Sequence, residues 1–546
     1  MSIISRLVGW LFKLPPAETY DIVVERDCKV PMSDGVTLLA DHYYPRGGGH
    51  RPTILMRSPY GRRGIFAALF ASPFAERGFQ VLIQSCRGTF GSGGKFDAFR
   101  NERVDGLATL EWLKQQVWFT GEVATVGPSY LGFVQWAVAA EAGPMLKAMV
   151  VQITASEFRS LVYPGESFGL DTGLSWIYLL SHQEDPPLAA FVAQSRAASA
   201  LQSSNAFRHL PLREVDEAAT GKPVSFFRDW LEHNEPGDPW WRPVDFSGTV
   251  SNVATPVYLL SGWYDIFLPQ TLADYSRLRQ AGRQPYLTIG PWAHTSPAMF
   301  PFLARESLVW FRAHLLGDRS SLRESPVRVF VMGANQWQDF LEWPPTYQAQ
   351  RWHLQKSGGL SPSTPANSEP DRYRYDPADP TPAVGGSSLS QNSGPKDNRM
   401  LEARPDVLVY TTAPLDRDVE VTGPVKAELY VTSSLEHTDF FARLCDVNPS
   451  GKSVNVSDGL LRLIPSRPAP GPEGCLKVEI DLWPTAHRFL KEHRIRLQVS
   501  SGSHPRFTRN PGSGELLATA TTLKTADQTV YHDLARPSAI ILPVRG

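Results

Sequence analysis

The chain contains 546 residues, of which 42% are hydrophobic and 20% are charged, values typical of a globular protein. This length exceeds what one ordinary hydrophobic core covers, so we expect two or three domains. The 54 Lys and Arg residues nearly equal the 55 Asp and Glu residues. The resulting net charge of −1 argues against a nucleic-acid partner and against a polybasic membrane-binding surface.

The amino-terminal segment, residues 1–14, is moderately apolar and contains Trp10. Arg6 interrupts it, no small-residue cleavage site precedes Pro15, and it is much too short to span a bilayer. We expect a packed or frayed terminal arm, with a weak interfacial helix as the alternative. No stable membrane insertion is expected here or elsewhere in the chain.

Strand and helix patterns alternate from about residue 22 to 150. Asn101 is expected to begin a helix with Val104, Leu107, Ala108 and Trp112 on its apolar face. Apolar runs before and after this helix predict strands over residues 36–44, 52–56, 81–84 and 123–126. Such alternation is typical of a mostly parallel α/β sheet.

Ser129 lies where the last of these strands is expected to turn sharply into a helix, predicted over residues 133–140. A serine at such a turn projects its hydroxyl from the carboxyl end of the sheet, and the amide that follows it can bind an oxyanion. The common form of this motif is G-x-S-x-G. Here the glycines are Gly127 and Gly132, so the second glycine comes one residue later than usual.

The remaining chain divides into three parts. Residues 155–245 lose the strand pattern and form a helical cap inserted into the α/β core, with helices over 188–201 and 224–231. The core occupies residues 1–154 and resumes over 246–345, with strands over 256–262 and 286–290. Residues 346–546 form an all-β sandwich or jelly roll, since alternating apolar residues recur over 425–431, 478–482 and 495–499. Within this domain, residues 356–400 are expected to form an irregular loop because they are rich in Pro, Gly, Ser and Asp.

A serine nucleophile needs a base and a group that orients the base. In an α/β hydrolase these partners follow in the order Ser, Asp, His, each on a loop after a later strand. Asp265 follows the strand that includes Leu260, and His294 follows the strand that includes Ile289. Ser129, Asp265 and His294 are therefore predicted to form a catalytic triad.

Tyr60 follows the early strand over residues 52–56, on the loop that supplies the second oxyanion donor in this fold. Its hydroxyl is expected to act beside the backbone amide of Tyr130. The glycine-rich run over residues 87–94 lacks the spacing of nucleotide-binding loops and is interpreted as a flexible loop beneath the site. No metal-binding or cofactor-binding motif is recognised, so none is expected.

The chain contains four cysteines, which are widely spaced in the sequence. Because the sequence contains no C-x-x-C pair, neither a zinc site nor a disulfide framework is indicated. We interpret Cys28, Cys86, Cys445 and Cys475 as buried free thiols and expect a cytoplasmic protein. The oligomeric state does not follow from the sequence, which permits a homo-oligomer.

Together these residues resemble the cocaine-esterase-like branch of the X-Pro dipeptidyl-peptidase (S15) hydrolases, the CocE/NonD family. The resemblance covers nearly the whole chain. It rests on SPYG around Tyr60, SCRGTFGSGG around Arg87, GPSYLG around Ser129, GWYD ending at Asp265, GPWAH ending at His294, PVRVFVMGANQWQ from Pro326, RPDVLVYTTAPL from Arg404 and HRIRLQVSSGSHPRF from His493.

The resemblance implies an α/β-hydrolase core, a helical cap and a carboxyl-terminal jelly roll. It implies Ser129 as nucleophile, His294 as base and Asp265 as its orienting group, with Tyr60 and Tyr130 forming the oxyanion hole. The late glycine of the turn is the pattern of this family.

The resemblance also implies a small-molecule ester substrate. Amino acid ester hydrolases of this kind place acidic residues just after the catalytic aspartate, whereas this chain has the apolar run 266–269 there. An unpaired ammonium is poorly held by such a lining, so a neutral apolar or aromatic acyl group is expected. Phe168, Trp176 and Phe267 are the candidate pocket residues.

Alternatives remain at this point. Glu166 and Asp171 on the cap are candidate partners for an ammonium, which would suit an X-Pro dipeptidyl-peptidase or an amino acid ester hydrolase or acylase. A non-catalytic binding protein is a second alternative, since a β-sandwich can bind carbohydrate. The predicted triad argues against the latter.

Overall fold

The computed structural model describes residues 3–47, 49–203, 205–464 and 474–545. The chain forms two compact units, each assembled from several segments. The first comprises Met1–Phe158, Pro239–Gly262 and Phe267–Val327, and the second comprises Arg159–Asp238, Trp263–Ile266 and Arg328–Gly546.

The α/β part of the described chain contains ten strands. They are β1 Ile22–Pro31, β2 Thr37–Pro45, β3 Thr53–Ser58, β4 Gln80–Ser85, β5 Val123–Pro128, β6 Leu146–Gln152, β7 Val257–Tyr264, β8 Tyr286–Ala293, β9 Val327–Val331 and β10 Gln336–Phe340. Of these strands, β3, β4, β5 and β7 are buried along their whole length. The first eight lie side by side in the order β1-β2-β4-β3-β5-β6-β7-β8. β1 and β2 are antiparallel, as are β2 and β4, while β3, β4, β5, β6 and β7 pair in parallel. The predicted mostly parallel sheet is confirmed.

Most α-helices of the described residues fall between these strands or in the cap. The helices are α1 Ile3–Leu11, α2 Ser72–Ala75, α3 Glu102–Lys114, α4 Tyr130–Ala139, α5 Arg159–Val162, α6 Leu170–His182, α7 Pro187–Ser203, α8 Val215–Thr220, α9 Ser225–Glu232, α10 Leu268–Gln280, α11 Phe300–Leu315 and α12 Arg399–Glu402. Of these, α1 precedes β1 and α12 lies in the carboxyl-terminal part. The two helices predicted in the cap correspond to α7 and α9. The boundaries of the cap as a domain stay a prediction.

The apolar face predicted for α3 is wrong. Val104 is 51% exposed, and the buried residues of this helix are Glu102, Asp105, Gly106, Thr109, Leu110 and Leu113. Two carboxylates face inward because each has an arginine partner: the buried Arg57 pairs with Glu102, and the partly buried Arg87 pairs with Asp105. Ion pairing thus overrides the hydrophobic pattern on this helix.

The carboxyl-terminal part of the chain is built from strands in one extended, largely antiparallel sheet of the second unit. The strands are β11 Gln348–Gln355, β12 Gly359–Ser361, β13 Asp371–Tyr375, β14 Leu408–Thr411, β15 Val419–Ser433, β16 Thr438–Val447, β17 Ser453–Leu463, β18 Leu476–Phe489, β19 Arg494–Ser500, β20 Ala526–Tyr531 and β21 Ala539–Arg545. The three alternating runs correspond to β15, β18 and β19. The segment 356–400 is not wholly irregular, because it contains β12 and β13. The jelly-roll topology of residues 346–546 stays a prediction.

The amino-terminal segment forms α1, whose Leu7, Trp10 and Leu11 are exposed. Nowhere in the described ranges is a helix both long enough and apolar enough to cross a membrane. All four cysteines are free thiols, but only Cys86 and Cys445 are buried; Cys28 and Cys475 are partly exposed, so the expectation of burial is wrong for that pair.

Candidate active site

The turn around Ser129 has the geometry of a nucleophile elbow. Ser129 lies between β5 and α4 with φ 58° and ψ −123°, a conformation that is strained for any residue other than glycine. Its amide donates a hydrogen bond to the Gln152 carbonyl at 2.9 Å, which ties the turn to the end of β6. Ser129 is partly exposed while Pro128 and Tyr130 are buried, so the strained turn presents the serine to solvent.

Two close approaches explain the spacing of the glycines in this motif. A Cβ on Gly127, which has φ 149°, would lie 2.3 Å from Leu131 Cβ. A Cβ on Gly132 would lie 2.3 Å from Cγ2 of Thr154, just after β6. The second glycine is therefore needed at position 132, because this residue of α4 packs directly against Thr154.

His294 lies beside the serine, as predicted. It follows β8 directly, in a turn where the Ala293 amide donates to Ser296 Oγ at 2.9 Å and the Ser296 amide donates to the Ala293 carbonyl at 3.0 Å. Its Nε2 is 3.2 Å from Ser129 Oγ, so an unprotonated Nε2 accepts a hydrogen bond from the hydroxyl. The predicted nucleophile and the predicted base are thus within hydrogen-bond distance of each other.

Asp265 follows β7 directly, and the residue is fully buried. It belongs to the short Trp263–Ile266 segment of the second unit, whereas Ser129 and His294 belong to the first. Its position after a strand agrees with the expected placement of a triad aspartate. Its role as the orienting group stays a prediction.

The two candidate oxyanion donors lie near each other in the first unit. Tyr60 is two residues beyond β3, and its amide donates to Ser58 Oγ at 3.1 Å. Tyr130 is the first residue of α4, and the amides of a first helical turn have no acceptor within the helix. The two tyrosine rings meet edge to face with centroids 6.4 Å apart.

The side chain of Tyr130 is held in a polar cluster beneath the turn. Its hydroxyl donates to Glu102 Oε1 at 2.8 Å and accepts from the Phe99 amide at 2.9 Å. Burial, followed by the neighbouring Glu102 carboxyl, raises the pKa of Tyr130 well above its ordinary value. The phenol therefore stays protonated and acts as a donor to the carboxylate.

Sequence reasoning missed the ion pair that completes this cluster. Arg57 Nη2 lies 2.9 Å from Glu102 Oε2, and both side chains are almost fully buried. An arginine inside β3, a strand that is buried along its whole length, was the available signal, because a charge in a buried strand requires a partner.

The three candidate pocket aromatics occupy different surroundings. The Phe267 ring contacts the His294 ring with centroids 5.5 Å apart. Phe168 packs against Tyr163 and Phe227, and Trp176 packs against Phe226 and Trp230, all in the cap. Phe267 thus contacts a residue of the predicted triad.

The two cap carboxyl groups considered as ammonium partners are already engaged within the second unit. Glu166 Oε2 accepts from Arg159 Nη2 at 2.7 Å. Asp171 is buried, and its carboxyl group accepts hydrogen bonds from Ser388 and Ser175. Burial raises the pKa of Asp171 above its ordinary value. Across the part of the chain that is described, no cluster of three or more His, Cys, Asp and Glu side chains is arranged to hold a metal ion.

Comparison with known proteins identifies the family of the chain. The sequence model of the X-Pro dipeptidyl-peptidase (S15) family matches residues 34–296, and that of the X-Pro dipeptidyl-peptidase C-terminal non-catalytic domain matches residues 322–541. Cocaine esterase from Rhodococcus sp. (strain MB1 Bresler) is 32% identical over 567 aligned positions, which cover 95% of this chain and 98% of that protein.

Solved structures share the fold over almost the whole chain. An α-amino acid ester hydrolase superposes with a TM-score of 0.81 at 22% identity, covering 97% of this chain and 98% of that one. A CocE/NonD family hydrolase from Staphylococcus aureus has a TM-score of 0.70 at 16% identity, with coverages of 96% and 94%. The chain therefore belongs to the X-Pro dipeptidyl-peptidase (S15) family, in its cocaine-esterase-like CocE/NonD branch, and is a serine ester hydrolase.

Proposed function

We propose that Ser129 is the nucleophile, His294 the general base and Asp265 the group that orients His294 in the hydrolysis of neutral carboxylic esters. The observation that carries the proposal is the 3.2 Å distance between Ser129 Oγ and His294 Nε2 at a strained strand-to-helix turn. This arrangement brings the hydroxyl and the base together without any rearrangement of the turn.

In the acylation step, Nε2 of His294 takes the hydroxyl proton as Oγ of Ser129 attacks the ester carbonyl carbon. The carbonyl oxygen becomes an oxyanion, which the Tyr60 hydroxyl and the Tyr130 amide stabilise by about 3–4 kcal/mol for each donor. Collapse of this intermediate breaks the bond to the alkoxy group, and the His294 imidazolium gives its proton to the departing alcohol.

In the deacylation step, a water molecule occupies the place of the alcohol. His294 removes a proton from this water as it attacks the acyl carbon, and a second oxyanion forms in the same hole. Its collapse releases the carboxylic acid and returns the proton to Ser129. All proton transfers in this cycle take place among Ser129, His294, the alcohol and water, so none of them requires a cofactor or a metal ion.

The acyl group is proposed to be neutral and apolar or aromatic. Phe267, whose ring contacts His294, offers an apolar surface to the acyl side. The two cap carboxyl groups considered as partners of a substrate ammonium are engaged, Glu166 by Arg159 and Asp171 by Ser388 and Ser175. Because an ammonium transferred from water without a partner is strongly disfavoured, an amine-bearing acyl group fits this site poorly.

The proposal is tested with substrates that differ by one group. The p-nitrophenyl esters of phenylacetic acid and phenylglycine share an aromatic acyl group, and the second adds an α-ammonium; a series of alkanoyl esters and Ala-Pro p-nitroanilide complete the panel. We expect turnover of the neutral esters, at least about 10-fold lower kcat/KM for the phenylglycine ester, and no cleavage of the dipeptide.

Ser129→Ala is the control in every assay and should abolish turnover while leaving the unfolding transition unchanged. A fluorescent alkylphosphonate should label the native enzyme and spare Ser129→Ala. Preferential turnover of amine-bearing substrates that Asp171→Asn destroys would instead establish a cap carboxylate as the ammonium partner. Unchanged turnover by Ser129→Ala would remove Ser129 from the mechanism.

We also propose that the enzyme works in the cytoplasm. All four of its cysteines are free thiols, as is usual where reducing conditions prevail. Fractionation of the source cells, followed by phosphonate labelling of each fraction, tests this location.

A further inference from the structure

We propose that Glu102, paired with Arg57, is a positioning residue that holds both donors of the oxyanion hole in place. The inference rests on the proposed function, since it concerns the donors assigned there to Tyr60 and Tyr130. Glu102 makes no contact with a reacting atom in this scheme. It acts through the side chain of one donor residue and through the strand that leads to the other.

The first link runs from Glu102 to the nucleophile elbow. Tyr130 supplies a backbone amide to the hole, while its own hydroxyl donates to Glu102 Oε1 at 2.8 Å. The Phe99 amide donates to the same hydroxyl at 2.9 Å, and the rings of Phe99 and Tyr130 stack with their centroids 4.4 Å apart. The tyrosine is thus held at its far end, which fixes the direction of its main chain at the start of α4.

The second link runs from Glu102 to the loop of Tyr60. Besides its ion pair with the Glu102 carboxylate, Arg57 donates from Nη1 to the Glu102 carbonyl at 2.8 Å and from Nε to Gln84 Oε1 at 2.9 Å. Arg57 is the penultimate residue of β3, and Tyr60 follows three residues later, where its amide donates to Ser58 Oγ. One buried ion pair therefore connects both donors.

The chemistry of the cluster favours positioning over simple stabilisation. The side chains of Arg57 and Glu102 are only 2% and 4% exposed, so both charges have lost their hydration. A buried ion pair seldom stabilises a fold more than apolar residues of similar volume would. The hydrogen bonds that Arg57 donates to the Glu102 carbonyl and to Gln84 are directional, however, and they fix distances that apolar packing leaves adjustable. Fixed distances are what an oxyanion hole requires, since its donors must be in place before charge develops.

Tyr130→Phe tests the first link, and the chain offers a matched control. Tyr258 is equally buried, also donates to a carboxylate, Glu306 Oε2 at 2.8 Å, and also has an arginine neighbour, Arg323. It lies near the beginning of β7, whereas the catalytic residues follow strand ends. Tyr258→Phe therefore removes an equivalent buried hydroxyl from the same unit without touching the oxyanion hole.

The expected results separate positioning from stability. Tyr130→Phe should lower kcat for a p-nitrophenyl ester by at least about 10-fold, leave KM within about 2-fold, and weaken inhibition by phenylboronic acid by the same factor as kcat. A boronic acid reports on the hole because it forms a tetrahedral adduct with the serine. Tyr258→Phe should change neither constant, although both variants should unfold at lower denaturant concentrations than the parent.

Glu102→Gln is the second variant, because it keeps an acceptor for the tyrosine but removes the charge that Arg57 requires. It should lower kcat and boronate affinity together, while Glu306→Gln should not. Rates are expressed per active site titrated with phosphonate, so that partial unfolding does not imitate a catalytic loss. Equal kcat values for Tyr130→Phe and Tyr258→Phe would overturn the positioning role, provided that Ser129→Ala is inactive. If Ser129→Ala keeps its activity, the proposed function itself fails.

Discussion

We expect replacement of Gly132 by alanine to lower kcat/KM, although the added methyl group does not contact the substrate. The added Cβ would lie 2.3 Å from Thr154 Cγ2 and 2.6 Å from Thr154 Cβ. Ordinary contact begins at 3.4 Å, so α4 and the residues after β6 must separate by about 1 Å. Thr154 is buried and β-branched, which leaves little freedom for its side chain to move away.

This displacement acts on the catalytic residues because Gly132 is only three residues beyond Ser129. The Gly132 amide donates to the Ser129 carbonyl at 2.8 Å, and Tyr130 begins the same helix. A misplacement of about 1 Å costs on the order of 100-fold in rate, and overpacking costs about 1–3 kcal/mol of unfolding free energy. We therefore expect kcat/KM of Gly132→Ala to fall about 100-fold, with a moderate loss of stability.

The assay is hydrolysis of a p-nitrophenyl ester at a temperature where urea unfolding shows the variant to be folded. Gly248→Ala is the matched control, since no atom lies within 4 Å of its added Cβ. It should keep its kcat/KM and its stability. If Gly132→Ala is folded and has the kcat/KM of the parent enzyme, the argument that this glycine sets the position of the elbow is refuted.

Two further predictions concern the oxyanion hole and the carboxyl-terminal sheet. Tyr60→Phe removes one proposed donor and should lower kcat about 100-fold at constant KM, as measured with the same ester. A kcat equal to that of the parent enzyme would exclude Tyr60 from the oxyanion hole. Glu428, on β15, pairs with Arg351 and Lys477, and the hydrogen bond from Arg351 is the main cause that lowers its pKa from 4.5 to about 2. A depressed carboxyl pKa stabilises the fold above the unfolded value and loses this effect as the pH falls toward the folded value. Glu428→Gln should therefore be less stable than the parent at neutral pH, and urea titrations should show the difference shrinking between about pH 4.5 and pH 2; a constant difference would contradict the linkage.

Sequence patterns favour Ser129 and His294 as site residues because both positions follow directly from local features. Ser129 and His294 come immediately after apolar strands, and parallel strands end at the same edge of a sheet. The order of the residues and the strand placement therefore bring these two groups together before any tertiary detail is known. The same patterns also place Asp265 after a strand.

The face of α3 shows where such patterns fail. Hydrophobic periodicity assigned Val104 to the core, yet this residue is exposed and Glu102 is buried. The partner of Glu102 is Arg57, 45 residues earlier in the chain. Periodicity describes neighbours on one element, and it contains no information about a charge on another strand.

The sequence by itself determined the α/β core, the helices of residues 155–245 and the strand-rich carboxyl-terminal part, and it predicted the approach of Ser129 and His294, because local periodicity and turn chemistry encode each of them. Only the tertiary structure decided which charges were paired. It engaged Glu166 with Arg159 and buried Asp171 against Ser388, and it placed the Arg57–Glu102 pair beneath Tyr130. The same is true of Gly132, whose need for hydrogen in place of a side chain depends on Thr154 packing against it. Contacts of this kind join residues distant in sequence, and their energies depend on burial and distance, which only the folded chain defines.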